Sequence, residues 1–383
     1  MSRKLAVRCL SVIVCLLACF QDQVSGDDKY PTVDQLPVND QLPDPFQFFG
    51  SDRRVKTRED WQQRQTEMME MLQHYIYGPA FPQVNKYNVV SRTEEVIADG
   101  KVTKYTANLK LGPDVSHAVP VPIEYYLLNG RDTNSILVYV VAREEPKDED
   151  AIEIAKRGYA YVALRVSPYE KIARSIYPEI PGTRTMSWVW GMNEMIHYFT
   201  REHQIDKVII TGCSRYGRVA ILAGALNKRV DLTAPITTLG HAVHYFDETM
   251  WKRGNVKWGN KEYDTFAGKM DRLPVDRHFL GAVIAPRAYL GIIGAEKPAF
   301  NEGHVEAYES LVPVYDWLGV RNRLGLFDHS PRGHGVNLDD LLTVLDFSDQ
   351  IFFARKPVDG KQFNQIANPN LDGFKWKAPP RPQ

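Results

Sequence analysis

Gly212-Cys213-Ser214-Arg215-Tyr216-Gly217-Arg218 is the stretch on which the reading of this chain turns. Lys207-Val208-Ile209-Ile210-Thr211 before it reads as a short buried strand. Val219-Ala220-Ile221-Leu222-Ala223-Gly224-Ala225-Leu226 after it reads as a buried helix. A serine at a tight strand-to-helix turn is the arrangement of a nucleophile elbow. The turn lifts the hydroxyl clear of the sheet, and the N-terminus of the next helix favours negative charge developing beside it. The common pattern is Gly-x-Ser-x-Gly. Gly212 fits it, but Tyr216 stands where the second glycine belongs and Gly217 comes one residue later. The alternative is an ordinary strand-to-helix turn in which Ser214 caps the helix.

Outward from the elbow, strands alternate with helices. Residues 135–141 form a continuous apolar run, as expected of a strand buried on both faces. Residues 151–157 read as a helix, 159–166 as a strand and 185–200 as a long helix. After the elbow come strands at 232–238 and 288–294, a helix at 303–318, a strand at 323–327 and a last helix at 338–353. Earlier, residues 86–128 alternate polar and apolar, which predicts antiparallel strands at a sheet edge. Thr57-Arg58-Glu59-Asp60 opens a helix, with Thr57 as N-cap. Trp61, Met68, Leu72, Tyr75 and Ile76 follow at helical spacing, and Gly78-Pro79 ends it. Residues 27–50, rich in Pro, Asp and Gln, read as an extended arm over the surface. The order predicts an α/β chain with a mostly parallel central sheet and helices on both faces. With the elbow, that is the α/β-hydrolase fold, a three-layer αβα sandwich. No boundary is visible inside 27–383, so a single domain is expected there.

The N-terminus reads as a targeting segment, residues 1–26. Arg3, Lys4 and Arg8 precede an apolar run from Cys9 to Phe20. At about a dozen residues the run is short for a membrane span and suits a secretory signal. Val24-Ser25-Gly26 before Asp27-Asp28 suggests simple cleavage, while Leu16-Leu17-Ala18-Cys19 resembles a lipoprotein box with Cys19 as the lipidated residue. Either reading places the mature protein outside the cytoplasm, secreted or periplasmic. Three of the four cysteines lie in this segment, so no intramolecular disulfide is expected around Cys213. Net charge is zero, which gives no argument for a nucleic-acid partner. No transmembrane span is expected in the mature chain, and it is expected to act as a monomer.

A serine nucleophile needs a base, and in α/β-hydrolases the histidine comes last in the chain. Of ten histidines only His329 and His334 lie between the last strand and the last helix. His334 sits in Arg332-Gly333-His334-Gly335, a glycine-flanked loop able to aim an imidazole over the sheet, and is favoured. His329 directly follows the strand and could also reach.

Gly-Cys-Ser-Arg-x-Gly-Arg resembles the nucleophile motif of glucuronoyl esterases, carbohydrate esterase family 15. Leu42-Pro43-Asp44-Pro45-Phe46 and residues 61–78 resemble that family's arm and first helix. Ser187-Trp188-Val189-Trp190-Gly191 resembles its long helix. Leu273-Pro274-Val275-Asp276-Arg277-His278-Phe279 and Ile284-Ala285-Pro286-Arg287 resemble its lead-in to a late strand. Gly333-His334-Gly335 and Asp346-Phe347 resemble its histidine loop and final helix. The resemblance implies Ser214 as nucleophile, His334 as base and Arg215 as a contributor to the oxyanion hole. Arg218 would stand where the family often has a lysine that contacts sugar hydroxyls. The implied substrate is an ester of 4-O-methyl-glucuronic acid in plant or algal polysaccharide, such as a lignin–carbohydrate link. No cofactor or metal is implied.

One position departs from the family. Its third triad member is commonly a glutamate after the strand that follows the elbow helix; here Pro235-Ile236-Thr237-Thr238 puts Thr237 there. A threonine cannot stabilise imidazolium by charge. The acid is therefore expected after the next strand, as Glu296, with Glu302 as the alternative and a site without a charged third member as another. His241 and His244 lie three apart but lack a convincing third metal ligand. Trp251 and Trp258 are candidate aromatic walls for a sugar ring. Two other outcomes stay open: an esterase of shifted specificity, such as a glycan deacetylase, and a catalytically impaired glycan-binding homologue.

Overall fold

The apolar runs form the middle of one sheet. Its strands are β1 (Tyr87–Ile97), β2 (Val102–Leu111), β3 (Val121–Leu128), β4 (Ser135–Val141), β5 (Ala160–Arg165), β6 (Lys207–Cys213), β7 (Leu232–Ile236), β8 (Ala288–Ile293) and β9 (Leu324–Asp328). The spatial order is β1-β2-β3-β5-β4-β6-β7-β8-β9. β1, β2, β3 and β5 pair antiparallel, and every pairing from β5 through β4 to β9 is parallel. This computed structural model describes residues 29–114, 119–130, 134–142, 147–238, 259–294, 298–329, 333–364 and 374–382.

The period of two along each strand explains why both faces need cover. In β5, Ala160, Val162 and Leu164 face one core, while Tyr161 and Ala163 face the other. In β6, Val208 and Ile210 face the first and Ile209 the second. Each large apolar side chain gains roughly 1.5–3 kcal/mol from full burial, so neither face is left to water. The first core packs under α1 (Arg58–Leu72), α3 (Tyr169–Ile176), α4 (Arg184–Glu202), α5 (Arg215–Leu226), α6 (His278–Ile284) and α7 (Pro298–Trp317). The second packs under α2 (Asp148–Lys156) and α8 (Leu338–Phe353). This is the α/β-hydrolase fold read from the sequence.

β5 lies on one side of β4 and β6 on the other, so the winding reverses at β4. In open α/β sheets, ligands bind in the crevice at the carboxyl ends of strands beside such a reversal. The elbow leaves β6 at that edge.

Several elements differ from expectation, and three of the differences have a local cause. β7 stops at Ile236 rather than 238, because Thr237 turns into the left-handed region at φ 48°. α7 begins at Pro298, five residues before the expected start, with proline at its first position, where no intrahelical N–H is needed. α3 was not foreseen; it is only eight residues long and follows Pro168, which hides its start. The Thr57 cap is as expected: Asp60 N donates to Thr57 Oγ1 at 3.1 Å, and Thr57 N donates to Asp60 Oδ2 at 3.1 Å. The extended arm is held by the chain's other end, where Trp376 Nε1 donates to Leu42 O at 3.0 Å.

Candidate active site

Ser214 joins β6 to α5 with φ 55° and ψ −121°. A non-glycine residue held there stores on the order of 1–3 kcal/mol of strain, so its surroundings must over-determine it. They do. Ser214 N donates to Ile236 O at 2.9 Å, and its own carbonyl accepts from Arg218 N at 3.1 Å and Thr238 Oγ1 at 2.5 Å. The Ser214 side chain makes no capping hydrogen bond to α5, which removes the alternative of a simple helix cap.

The glycine mismatch also has a physical reason. A Cβ on Gly212 would lie 2.6 Å from Tyr216 O. One on Gly217 would lie 2.7 Å from Gly212 O and 2.5 Å from Thr238 Oγ1. The backbone of this turn therefore closes on itself at 212 and 217, and not at 216. Tyr216 instead packs beside Trp188, ring centroids 6.1 Å apart.

The loop after β9 returns to the elbow. Cys213, the residue before the nucleophile, has its Sγ 3.7 Å from the carbonyl oxygen of Gly335, the residue after His334. His334 is exposed at that edge. His329 is held elsewhere: its backbone N donates to Ile293 O at 2.8 Å, and its ring nitrogens lie 3.1 Å from Asp340 Oδ1 and 3.0 Å from Asp339 Oδ2. Those carboxylates belong to the first turn of α8, so His329 fastens the strand end to the last helix.

Thr237 follows β7 at the same edge. Its N–H donates to Ile292 O at 2.8 Å, and its Oγ1 lies 3.2 Å from Cys213 Sγ. Glu302 lies within α7. Glu296, His241, His244, Trp251 and Trp258 lie outside the described residues. Among the described residues no group of three or more His, Cys, Asp or Glu could hold a metal, and no helix is long and apolar enough to cross a membrane.

Arg215 is the first residue of α5 and is exposed. Arg218 stands one turn deeper. Burial pushes its guanidinium down to about 10, and the positive charge of Arg277 acts the same way. It keeps its charge at neutral pH, as arginine does in proteins. Arg277 and Tyr263 thus belong to the electrostatic surroundings of the elbow helix, which nothing in their spacing from Ser214 announced. Asp276, two residues before α6, is fully buried and accepts from Arg277 N at 2.5 Å.

Residues 173–319 match the family model described as "Glucuronyl esterase, fungi". The chain is 25% identical over 402 residues to a multidomain esterase of Ruminococcus flavefaciens; the match takes in 90% of this chain and 51% of that protein, about half its length. It is 26% identical to the 4-O-methyl-glucuronoyl methylesterase 1 of Wolfiporia cocos, over 89% of this chain and 87% of the other. The solved carbohydrate esterase family 15 glucuronoyl esterase from Caldicellulosiruptor kristjansonii superposes with a TM-score of 0.70 at 22% identity, covering 91% of this chain and 99% of that one. With the family-model match at its centre, alignment along nine-tenths of its length and the shared fold, the chain is similar to the glucuronoyl esterases in both sequence and architecture.

Proposed function

We propose that the protein is a serine carboxylic-ester hydrolase that cleaves esters of 4-O-methyl-glucuronic acid in plant or algal polysaccharide, and that it does so outside the cytoplasm. The observation that carries the proposal is the state of Ser214. Its backbone is strained, its neighbours fix it, and its side chain is not used to cap the helix behind it. A structural serine would more simply cap.

In the proposed reaction Ser214 Oγ attacks the ester carbonyl and His334 takes its proton. The tetrahedral oxyanion develops beside the start of α5, where the backbone N–H of Arg215 and the helix dipole stabilise it. Collapse breaks the ester bond, and the protonated His334 returns its proton to the leaving alcohol. Water, activated by His334, then releases the uronate from Ser214. Glu296 is proposed to orient the imidazole from the loop after β8, the strand beside β7. Arg218, from inside the first turns of α5, is proposed to hold sugar hydroxyls, with Trp251 and Trp258 as flanking walls.

Benzyl glucuronate hydrolysis tests the reading. The wild type should turn it over and Ser214→Ala should not. A wild type active on acetyl esters alone would select the deacetylase reading, and one with no turnover at all would select a binding protein.

A further inference from the structure

The ends of β6 and β7 are joined by a contact that the scheme above leaves unused. Cys213 Sγ lies 3.2 Å from Thr237 Oγ1 and 3.7 Å from Gly335 O. A carbonyl oxygen only accepts, so the thiol proton is directed at Gly335. The sulfur then accepts from the Thr237 hydroxyl, whose proton rotates to suit. Hydroxyl, thiol and carbonyl thus make a chain of bonds pointing one way. It runs from the end of β7, through the residue before Ser214, to the residue after His334. Bonds aligned in this sense strengthen one another.

The backbone of Thr237 gives an independent reason to look for a role in its side chain. Its φ of 48° is left-handed, where a β-branched residue is an outlier and glycine or asparagine fits with less strain. The backbone bond from Thr237 N to Ile292 O would be made by either of those residues as well. What threonine adds at this position is a hydroxyl, and the hydroxyl is on Cys213. An ionised carboxylate at 237 would have no proton to give the sulfur.

We propose that Thr237 and Cys213 are positioning residues, which tether the histidine loop to the strand ends and hold His334 at Ser214. The proposal rests on the assignment of Ser214 and His334 as nucleophile and base. It also accounts for a threonine at the place where the family commonly has an acid: the residue acts on the base through its loop, not through charge.

The test uses Cys213→Ala, Thr237→Val, their double variant and Thr237→Ser in the full chain. Benzyl glucuronate kinetics and amide hydrogen exchange across 333–337 are both read. A slightly misplaced base should lower kcat about 3- to 10-fold in each single variant, with KM within about 2-fold. Because both substitutions break one chain, the double variant should fall within about 2-fold of the worse single. Thr237→Ser, which keeps the hydroxyl, should stay near wild type, and exchange across 333–337 should quicken in both singles. Wild-type kcat with unchanged exchange in the singles, a multiplicative double variant, or Thr237→Ser as impaired as Thr237→Val overturns the proposal. Should Thr237→Val not fold, Cys213→Ala carries the same readouts. Exchange needs no turnover, so an inactive wild type would sink the esterase assignment while the tether is still judged.

Discussion

The carboxyl ends of β6 and β7 lie side by side, and each passes into a hydroxyl residue in the left-handed region, Ser214 at φ 55° and Thr237 at φ 48°. The same backbone device serves two hydroxyls differently. At β6 the strained turn keeps the serine from capping the helix that follows. At β7 the threonine is placed on Cys213 Sγ and faces inward to the scaffold. A reacting hydroxyl has to be available to substrate and base, whereas a tethering one has to be engaged. The largest predicted effect measures that contrast. Ser214→Ala should lower kcat by on the order of 10⁴–10⁶-fold with the fold intact, where loss of the Thr237 hydroxyl costs only several-fold. Comparable losses from the two substitutions, measured on one ester substrate, would erase the distinction.

A second substitution sharpens the comparison from the side of charge. If Thr237 acts without a carboxylate, the imidazolium needs one from elsewhere, and Glu296 after β8 is the candidate. Glu296→Gln should lower kcat by about 10²–10⁴-fold, the range expected when a triad acid is neutralised. Full activity in Glu296→Gln would remove the acid from that loop. The site would then draw its acid from Glu302 on α7 or run on Ser214 and a tethered His334 alone.

The parts of this picture that the sequence revealed follow from local rules. The continuous apolar run at 135–141 marked one buried strand, since only a strand covered on both faces is apolar throughout, and the Val208-Ile209-Ile210 core of 207–211 marked the next. Ser214 was legible because its strand and helix are contiguous with it. The glycine at 217 was harder to interpret. Its reason is a contact between 217 and 212 across the turn, and spacing alone does not encode how tightly a turn closes. Thr237 was read only as a missing acid. Its strain and its bond to Cys213 arise from the pairing of β7 with β6 and β8, which are separated from it by tens of residues in the chain. The choice of His334 over His329 followed from glycine flanks. The stronger reason, the two carboxylates holding His329, needed the start of α8 in place.

The turn itself offers a third and smaller effect. Gly217→Ala would set a Cβ 2.5 Å from Thr238 Oγ1, the hydroxyl that supports the Ser214 carbonyl, and 2.7 Å from the Gly212 carbonyl. Backbone has to shift, which should cost about 1–3 kcal/mol of stability. The nucleophile moves with it, so kcat should drop by roughly 10-fold or more, as small misplacements of reacting groups do. Denaturant unfolding and ester kinetics on the same preparation read both quantities. Wild-type stability in Gly217→Ala would mean that the closed turn at β6 is not what fixes Ser214.

Comparing the two strand ends by activity across pH requires separating the base from the scaffold beneath it. Glu309 on α7 is the scaffold group to separate. It is 4% exposed, and neither carboxylate oxygen has a hydrogen-bond partner among the described residues. Burial, and then the charge of Glu306, push its carboxyl from 4.5 up to about 7. The folded state therefore keeps this proton to higher pH than the unfolded chain does. Its contribution is fully present below pH 4.5 and falls as pH rises, until it is lost above about 7. Glu309→Gln removes the titration and breaks no hydrogen bond among the described residues. The variant should match the wild type in stability at pH 4 and exceed it by on the order of 1–2 kcal/mol at pH 8. Its kcat at neutral pH should be unchanged, because the group stands apart from Ser214 and His334. Denaturation at the two pH values checks the sign. A gain at pH 4 that vanishes at pH 8 would reverse it, and would remove Glu309 as the source of a stability loss above neutral pH.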